Sequence, residues 1–120
     1  ELEDMVRGNF AKSPLNAKIK YIIGDAQESL KTLKNEIFDL VFIDADKKNN
    51  GTYYDLIFGQ VKPGGIIIVD NVLWSGKVLS NMLDKDTQNI SNFNDYINAD
   101  TRVEKLILPI RDGLFVIRKK

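Results

Sequence analysis

Residues 37–47 read Ile-Phe-Asp-Leu-Val-Phe-Ile-Asp-Ala-Asp-Lys, and this stretch decides the fold. Five of the six residues at 38–43 are apolar, and two of them are β-branched. The run is too short for an ordinary helix and is typical of a strand that is buried on both faces, as in a parallel sheet. It ends abruptly in two carboxylates and a lysine, which are Asp44, Asp46 and Lys47. The stretch therefore predicts a buried strand with charged groups at its carboxyl end.

A second apolar run repeats this design. Residues 64–69 read Gly-Gly-Ile-Ile-Ile-Val and lead directly into Asp70 and Asn71. In open α/β sheets, ligands bind outside the carboxyl ends of the strands. Each polar residue could instead cap a helix or close a turn, but two successive strands that end alike favour a shared site. We therefore predict a site at one edge of the sheet, where these two residues join Asp44 and Asp46.

The rest of the chain alternates helical and strand patterns. Glycine and proline at 62–65 predict a sharp turn before the second buried strand, and 71–81 has no firm period and predicts a loop. Alternating elements predict an α/β fold with a parallel sheet and helices on its faces. Apolar spacing predicts helices at 1–11, 26–35, 52–61 and 87–97, and strands at 19–23, 102–110 and 114–117.

Caps and turns mark the boundaries of these elements. Asn49 or Thr52 could cap the third helix, and Asp86 or Thr87 the fourth. Residues 111–113 read Arg-Asp-Gly and predict a tight reversal, because Asp-Gly supplies the positive backbone angles of a hairpin turn. The closing hairpin therefore adds an antiparallel edge to the sheet.

Length and composition restrict the classes of function. The chain has 120 residues and a formal net charge of zero, so 1–120 form one domain without a broad basic surface for nucleic acid or an anionic membrane. No apolar run approaches the roughly 20 residues that span a bilayer. The chain has neither cysteine nor histidine. An ordinary zinc site is therefore excluded, and any metal must be held by oxygen ligands.

The candidate ligands suit a hard divalent cation. Asp44, Asp70 and Asn71 offer carboxylate and amide oxygens, which magnesium and calcium prefer. Magnesium keeps several waters, so three protein oxygens would leave positions for substrate oxygens. Lys47 lies three residues beyond Asp44. A lysine near a metal in a partly closed pocket can act as a base, although the residues alone favour a solvated lysine beside Lys48.

Two further candidates lie on loops. Gly24 is followed by Asp25 and Ala26 at the end of the first predicted strand, where a small residue lets a flat ligand approach the backbone. A plain strand-to-helix turn is the simpler interpretation of that triplet. Trp74 follows the second strand and could wall a pocket for an aromatic substrate, or it could pack against its own domain.

Three segments resemble the cation-dependent O-methyltransferases: Phe-Asp-Leu-Val-Phe-Ile-Asp-Ala-Asp-Lys, Lys-Pro-Gly-Gly-Ile-Ile-Ile-Val-Asp-Asn-Val-Leu-Trp-Ser-Gly-Lys-Val and Leu-Pro-Ile-Arg-Asp-Gly-Leu. That family includes catechol and caffeoyl-CoA O-methyltransferases and bacterial relatives, some of which methylate 5-hydroxyuridine in tRNA. The resemblance runs along the whole chain. It implies the Rossmann-like class I methyltransferase fold, an α/β sheet of seven strands in which the last strand is antiparallel.

The resemblance also implies roles for residues. Asp44, Asp70 and Asn71 match the metal ligands, for Mg²⁺ or another divalent cation such as Mn²⁺ or Ca²⁺, and Lys47 matches the lysine proposed as general base. The cation would lower the pKa of a hydroxyl on a catechol-like diol and orient it, and the lysine would take the proton. The resemblance thus implies methyl transfer from S-adenosylmethionine to that oxygen.

The remaining implied positions concern the methyl donor and the substrate. Asp25 and Ala26 match the pair beside the adenine, Asp44 also lies beside the methyl donor, and Trp74 is the candidate wall for the substrate. We expect a cytoplasmic homodimer with a small diol substrate and no membrane partner. Nucleic acid is not expected, except in the alternative that the substrate is a hydroxylated tRNA base.

One departure from the family pattern matters. The glycine-rich motif of the family, Glu-Ile-Gly-Thr-x-x-Gly or similar, is absent, and so is the acidic residue that ends the second strand and binds the ribose. We therefore expect a chain that is truncated at its N-terminus and lacks two central strands of the sheet. A non-catalytic interaction module is the alternative from another functional class. We also expect that residues 1–120 alone would not form a stable monomer that binds the methyl donor.

Overall fold

The computed structural model describes residues 2–80 and 84–120 and contains a mixed four-stranded sheet. Its strands are β1 (Phe38–Ile43), β2 (Val61–Asp70), β3 (Val103–Leu108) and β4 (Leu114–Lys119). The spatial order is β1-β2-β4-β3. β1 and β2 are parallel, and β4 pairs antiparallel with both β2 and β3. The predicted α/β architecture with an antiparallel last strand is confirmed, with β3 rather than β4 at the outer edge.

Within the described residues, four α-helices accompany the sheet: α1 (Leu2–Ala11), α2 (Ala26–Thr32), α3 (Asn50–Phe58) and α4 (Lys85–Ala99). Short 3₁₀ segments lie at Asn16–Lys18, Lys47–Asn49 and Trp74–Leu79. The last of these falls within the predicted loop at 71–81, of which Asn81 lies outside the described residues, as does Glu1 of the first predicted helix. No helix in the described ranges combines the length and apolar character needed to cross a membrane.

The strand predicted at 19–23 is wrong. These residues follow the 3₁₀ segment at Asn16–Lys18 and join no ladder. Ile19, Ile22 and Ile23 are exposed, although their β-branched side chains favour a pleated and half-buried surface. A strand needs a neighbour for its backbone hydrogen bonds, and no described strand lies beside this segment.

The hydrophobic core lies between one face of the sheet and helices α3 and α4. Tyr54 and Ile57 of α3 and Ile97 of α4 are almost completely buried. They pack against inward-facing residues of the strands, including Ile67 and Ile117. Helix packing on this face therefore fixes the positions of the central strands β2 and β4.

The opposite face of the sheet carries apolar side chains that no described helix covers. Leu40 is 54% exposed, Phe42 53% and Leu106 52%. These side chains alternate with the core residues along their strands. We call this surface the open face; its members are Leu40, Phe42, Ile66, Ile68, Leu106, Leu108, Leu114 and Val116.

The predicted sharp turn at 62–65 is instead an irregularity within β2. Phe38 pairs with Val61, but Leu40 pairs with Ile66, so several additional residues of β2 bulge opposite β1. A Cβ atom on Gly65 would lie 2.7 Å from Cγ1 of Val61, so only glycine fits this close approach. The bulge restores the pairing that brings the carboxyl ends of β1 and β2 side by side.

The structure corrects the predicted helix boundaries. Asp84 caps α4, where its Oδ1 atom accepts a 2.9 Å hydrogen bond from the Thr87 backbone N–H. The predicted caps Asp86 and Thr87 lie inside that helix, because an aspartate two residues earlier satisfies the free N–H groups. Asn49 occupies the N-cap position of α3, but its side chain makes no capping hydrogen bond. α2 ends at Thr32, and α3 ends at Phe58, before β2 begins.

Candidate functional site

The carboxyl ends of β1 and β2 bring Asp44 and Asp70 together. Ile43 pairs with Val69 in the parallel ladder, so the two aspartates follow at matching positions on neighbouring strands. Asn71 comes next with a φ of 64°, a left-handed conformation that asparagine tolerates better than most residues. Its backbone N–H donates a 2.6 Å hydrogen bond to Oδ1 of Asp70. The predicted meeting of the two strand ends is therefore present.

Lys47 is held against Asp44. Its Nζ atom lies 3.2 Å from Oδ1 of Asp44, and its side chain is only 14% exposed. The interpretation of Lys47 as a freely solvated lysine is therefore wrong, whereas the adjacent Lys48 is exposed. The 3₁₀ segment at Lys47–Asn49 directs the first lysine inward and the second outward. An amine and a carboxylate thus share the end of β1.

Asp46 fixes the turn between Asp44 and Lys47 through hydrogen bonds that the sequence did not reveal. Tyr53 donates a 2.5 Å hydrogen bond from its hydroxyl to Oδ1 of Asp46, and Nδ2 of Asn49 donates one of 2.5 Å to Oδ2. The hydrogen bond from Tyr53 is the main cause that lowers the pKa of Asp46, and Asp46 in turn raises the pKa of Tyr53. The only sequence signal for this contact was the seven-residue spacing from a turn into an adjacent helix.

Two cavities lie at the carboxyl ends of β1 and β2. The first cavity has a volume of about 680 Å³ and is lined by Asp70 and Asn71. The second cavity has a volume of about 240 Å³ and is lined by Asp44, Ala26 and apolar side chains of β1 and α3. Phe42 lines both cavities. Of the candidate metal ligands, Asp70 and Asn71 line the first cavity and Asp44 lines the second.

Asp25 and Ala26 lie at the start of α2. Oδ1 of Asp25 accepts hydrogen bonds from the backbone N–H groups of Gln27 at 2.8 Å and Glu28 at 3.2 Å, which caps the helix. The simpler interpretation, a turn into a helix, is thus correct for the local structure. Ala26 nevertheless lines the second cavity together with Asp44. The structure brings these two predicted residues together, and the role of Asp25 beside an adenine stays a prediction.

Trp74 is half-buried and begins the 3₁₀ segment at Trp74–Leu79 with a φ of 48°. Its neighbour Ser75 lines the first cavity, together with Arg111 and Asp112. The predicted role of Trp74 as a substrate wall stays a prediction. The position of Arg111 in the wall of the first cavity could not be seen from the sequence, although the motif Leu-Pro-Ile-Arg-Asp-Gly-Leu contains this residue.

The candidate ligand oxygens fit a hard cation that takes few of its ligands from the protein. Within residues 2–80 and 84–120 there is no group of three or more acidic, histidine or cysteine side chains that could hold a metal ion. A cation at this edge would depend on the carboxylates of Asp44 and Asp70, the amide oxygen of Asn71 and water. Magnesium keeps several waters and is commonly bound through one or two carboxylates, so this set fits its chemistry.

Comparison with known proteins gives the family. The sequence profile of the O-methyltransferase family matches residues 1–120, which is the whole chain. The chain belongs to the O-methyltransferase family. This result confirms the resemblance drawn from the sequence motifs.

Individual relatives of this O-methyltransferase chain agree with the family assignment. The chain is 40% identical over 116 residues to "Probable caffeoyl-CoA O-methyltransferase 2" of Dictyostelium discoideum, with 92% of this chain and 50% of that protein covered. It is 36% identical over 83 residues to catechol O-methyltransferase of Mycobacterium tuberculosis, with 69% and 38% covered. The chain therefore spans about half or less of the length of these relatives.

The fold comparison places the sheet in the same class. The crystal structure of an O-methyltransferase from Bacillus cereus, solved in complex with SAH, superposes with a TM-score of 0.86 at 33% sequence identity. The match covers 98% of this chain and 57% of that chain. The four strands are thus part of a Rossmann-like methyltransferase sheet, as the resemblance implied.

Proposed function

We propose that a full-length protein containing this chain transfers a methyl group from S-adenosylmethionine to one hydroxyl of a small catechol-like diol. The observation that carries this proposal is the 3.2 Å contact between Nζ of Lys47 and Oδ1 of Asp44 at the carboxyl end of β1. Asp70 and Asn71 stand at the end of the adjacent strand. A proton acceptor and oxygen ligands thus lie at one edge of the sheet, where α/β folds bind ligands.

The assigned roles follow from the chemistry of each side chain. Asp44, Asp70 and Asn71 would hold a divalent cation, Mg²⁺ or another such as Mn²⁺ or Ca²⁺. When bound, such a cation supplies Lewis acidity that lowers the pKa of the diol hydroxyl and fixes its orientation. Lys47 is the assigned base and would accept the hydroxyl proton at Nζ. The resulting oxygen nucleophile forms a bond to the methyl carbon as the bond from that carbon to sulfur breaks.

The donor would occupy the second cavity. Ala26 and Asp44 line it together, and the apolar side chains of Leu30 and Ile57 complete its walls. A flat adenine fits beside a small residue because no side chain blocks its approach, and Asp25 is adjacent to that position. Trp74 is assigned to the substrate side. Holding donor and acceptor in one orientation supplies much of the acceleration in such a transfer.

The first experiment tests the metal ligands. We expect Asp70→Ala in the full-length protein to abolish methyl transfer to catechol, because the variant loses one of two carboxylates. Asp95→Ala is the matched control, since Asp95 is an exposed carboxylate on α4. Full activity after treatment with a chelator would overturn the metal assignment.

The second experiment tests the substrate and the enzyme class. Methyl transfer to catechol is compared with transfer to tRNA that carries the hydroxylated base but lacks its methyl group. The proposal predicts activity on the diol. Activity on tRNA alone would assign the alternative substrate, a hydroxylated tRNA base. A full-length protein that binds no S-adenosylmethionine in a calorimetric titration would instead be a non-catalytic module.

We also propose that the full-length protein is a cytoplasmic homodimer. The support is the resemblance to the family. Sedimentation analysis at working concentration is expected to give twice the mass of the single chain. A monomer under those conditions would contradict this proposal.

A further inference from the structure

Arg111 occupies a backbone position that normally favours glycine. It is the second residue of a turn closed by a 2.9 Å hydrogen bond from the Gly113 N–H to the Ile110 carbonyl. Its φ is 53°, in the left-handed region that large side chains rarely adopt. The hairpin prediction located the positive angles at Asp112 and Gly113, and the structure corrects this to Arg111 and Gly113. Residues held in such strained conformations cluster at functional sites.

The turn is fastened to the loop after β2. The Asp112 carbonyl accepts a 2.9 Å hydrogen bond from the Leu73 N–H, and the Asp112 carboxylate accepts another from the Ser75 N–H. These contacts join the two loops that form the rim of the first cavity. Arg111 therefore stands on an anchored backbone at the wall of the cavity that Asp70 also lines.

The guanidinium group of Arg111 differs from those of the other arginines. The chain has four arginines. Arg7, Arg102 and Arg118 each form an ion pair with a carboxylate. In the part of the chain that the structure describes, Arg111 has no such partner, and it carries the one positive charge among the residues that line the first cavity. An unpaired and always charged donor at the wall of a substrate cavity is suited to bind an anion.

We propose that Arg111 is a specificity-determining residue that binds a carboxylate group carried by the diol substrate. The inference rests on the proposed function, which assigns the diol to the end of β2. A guanidinium binds a carboxylate through two parallel hydrogen bonds, which gives direction as well as affinity. Asp70 and Asp112 add two carboxylates to an otherwise uncharged remainder of the wall, and they repel a singly charged carboxylate less than a doubly charged phosphate.

The test compares two substrates that differ only in charge. The full-length protein and its Arg111→Gly variant are assayed with 3,4-dihydroxybenzoate and with its neutral methyl ester. We expect the variant to lose about tenfold to a hundredfold in kcat/KM for the acid, the range of a lost charged hydrogen bond, and little for the ester. Arg111→Lys keeps the charge without the planar fork and should retain part of the preference for the acid.

Folding and catalysis are separated by two further measurements. The Tm of Arg111→Gly should equal or exceed that of the parent, because glycine adopts a positive φ without strain. Equal losses for the acid and the ester, or no loss for the acid, would overturn the proposal. If the parent methylates neither compound, the proposed function fails on its own. Calorimetric binding of 3,4-dihydroxybenzoate then decides the role of Arg111: weaker binding in Arg111→Gly supports it, and equal binding overturns it.

Discussion

The hydroxyl of Tyr53 donates a 2.5 Å hydrogen bond to the carboxylate of Asp46, which joins the first turns of α3 to the turn after β1. This turn carries Asp44 on one side of Asp46 and Lys47 on the other. Tyr53 is buried, and its ring also lines the second cavity beside Asp44. A contact between two residues with no assigned part in the proton transfer thus helps to position Asp44 and Lys47.

We predict that Tyr53→Phe weakens methyl transfer by loosening this turn. The variant keeps the ring in the core and removes only the hydroxyl, so the loss of stability should be about 1 kcal/mol. Tyr96→Phe is the matched control, because Tyr96 donates a 2.7 Å hydrogen bond to Asp55 on the exposed surface. The measurement is kcat at saturating substrate together with Tm. If both variants lower kcat equally, Tyr53 has no special role in positioning.

A second hydrogen-bonded carboxylate links the end of α4 to α3. Tyr54 is fully buried and donates a 2.9 Å hydrogen bond to Asp100, whose side chain is only 6% exposed. Arg102 donates to both carboxylate oxygens of Asp100, at 2.9 and 2.6 Å. The hydrogen bonds from Arg102 are the main cause that holds the pKa of Asp100 well below its ordinary value of 3.8. Burial, followed by the contact with Asp100, raises the pKa of Tyr54.

We predict that this pair makes stability depend on pH at both extremes. A lowered pKa in the folded state gives stabilisation above the unfolded pKa that is lost as the pH falls through the folded value, so Asp100 contributes to unfolding in acid. The raised pKa of Tyr54 gives stabilisation that is lost as the pH rises above its unfolded value of about 10. Asp100→Asn should cost about 2 kcal/mol near neutral pH and reduce the loss of stability below about pH 4. Urea unfolding of the parent and of Asp100→Asn, from acid to neutral pH, measures the cost near neutral pH and the smaller loss of stability in acid. Parallel curves of stability against pH for the two proteins would contradict the prediction.

A third prediction concerns the contact between the hairpin turn and the loop after β2. A Cβ atom on Gly113 would lie 2.5 Å from Cγ of Leu73, and Gly113 also has a φ of 84°. Gly113→Ala should therefore displace the turn that carries Arg111 and destabilise the fold by about 1–3 kcal/mol. Gly59→Ala is the control, since Gly59 has a helical φ of −64° and open space around it. Equal Tm values for the two variants would show that the loops separate without cost.

The strand at 38–43 and its polar end could be predicted because local sequence determines them, but its predicted burial on both faces is wrong: Leu40 and Phe42 are more than half exposed on the open face, which no described helix covers. The short apolar run at 38–43 favours a strand, and the aspartates that follow it cannot continue the strand inside a core. The strand predicted at 19–23 failed for the opposite reason. Its residues favour a strand, but a strand also requires a neighbour, and the sequence of one segment does not contain that information.

The details of the site depended on distant contacts. The burial of Lys47 follows from the 3₁₀ segment at Lys47–Asn49 and its packing near α4, which residue spacing does not reveal. The strained backbone of Arg111 follows from the way in which the hairpin meets the loop at Leu73. The sequence therefore predicts which residues gather at the strand ends, whereas the side on which each one lies requires the folded chain.

The open face and the outer edge of β1 carry the last prediction. β1 lies at one end of the described sheet, so one side of its backbone has no partner strand there. Leu40 and Phe42 add exposed apolar surface beside this edge. Bare strand edges and contiguous apolar surface promote association between chains. The isolated chain of residues 1–120 should therefore associate, bind hydrophobic dyes and show no tight binding of S-adenosylmethionine.

Substitution on the open face distinguishes this cause from general instability. Leu40→Gln combined with Leu106→Gln should reduce association of the isolated chain, because both side chains are more than half exposed on that face. Leu79→Gln is the matched control, since Leu79 is 86% exposed but lies in the 3₁₀ segment outside the open face. Sedimentation and thermal melting provide the measurements. A monodisperse monomer of the unsubstituted chain that melts cooperatively and binds S-adenosylmethionine tightly would contradict the prediction, because the open face would then need no cover.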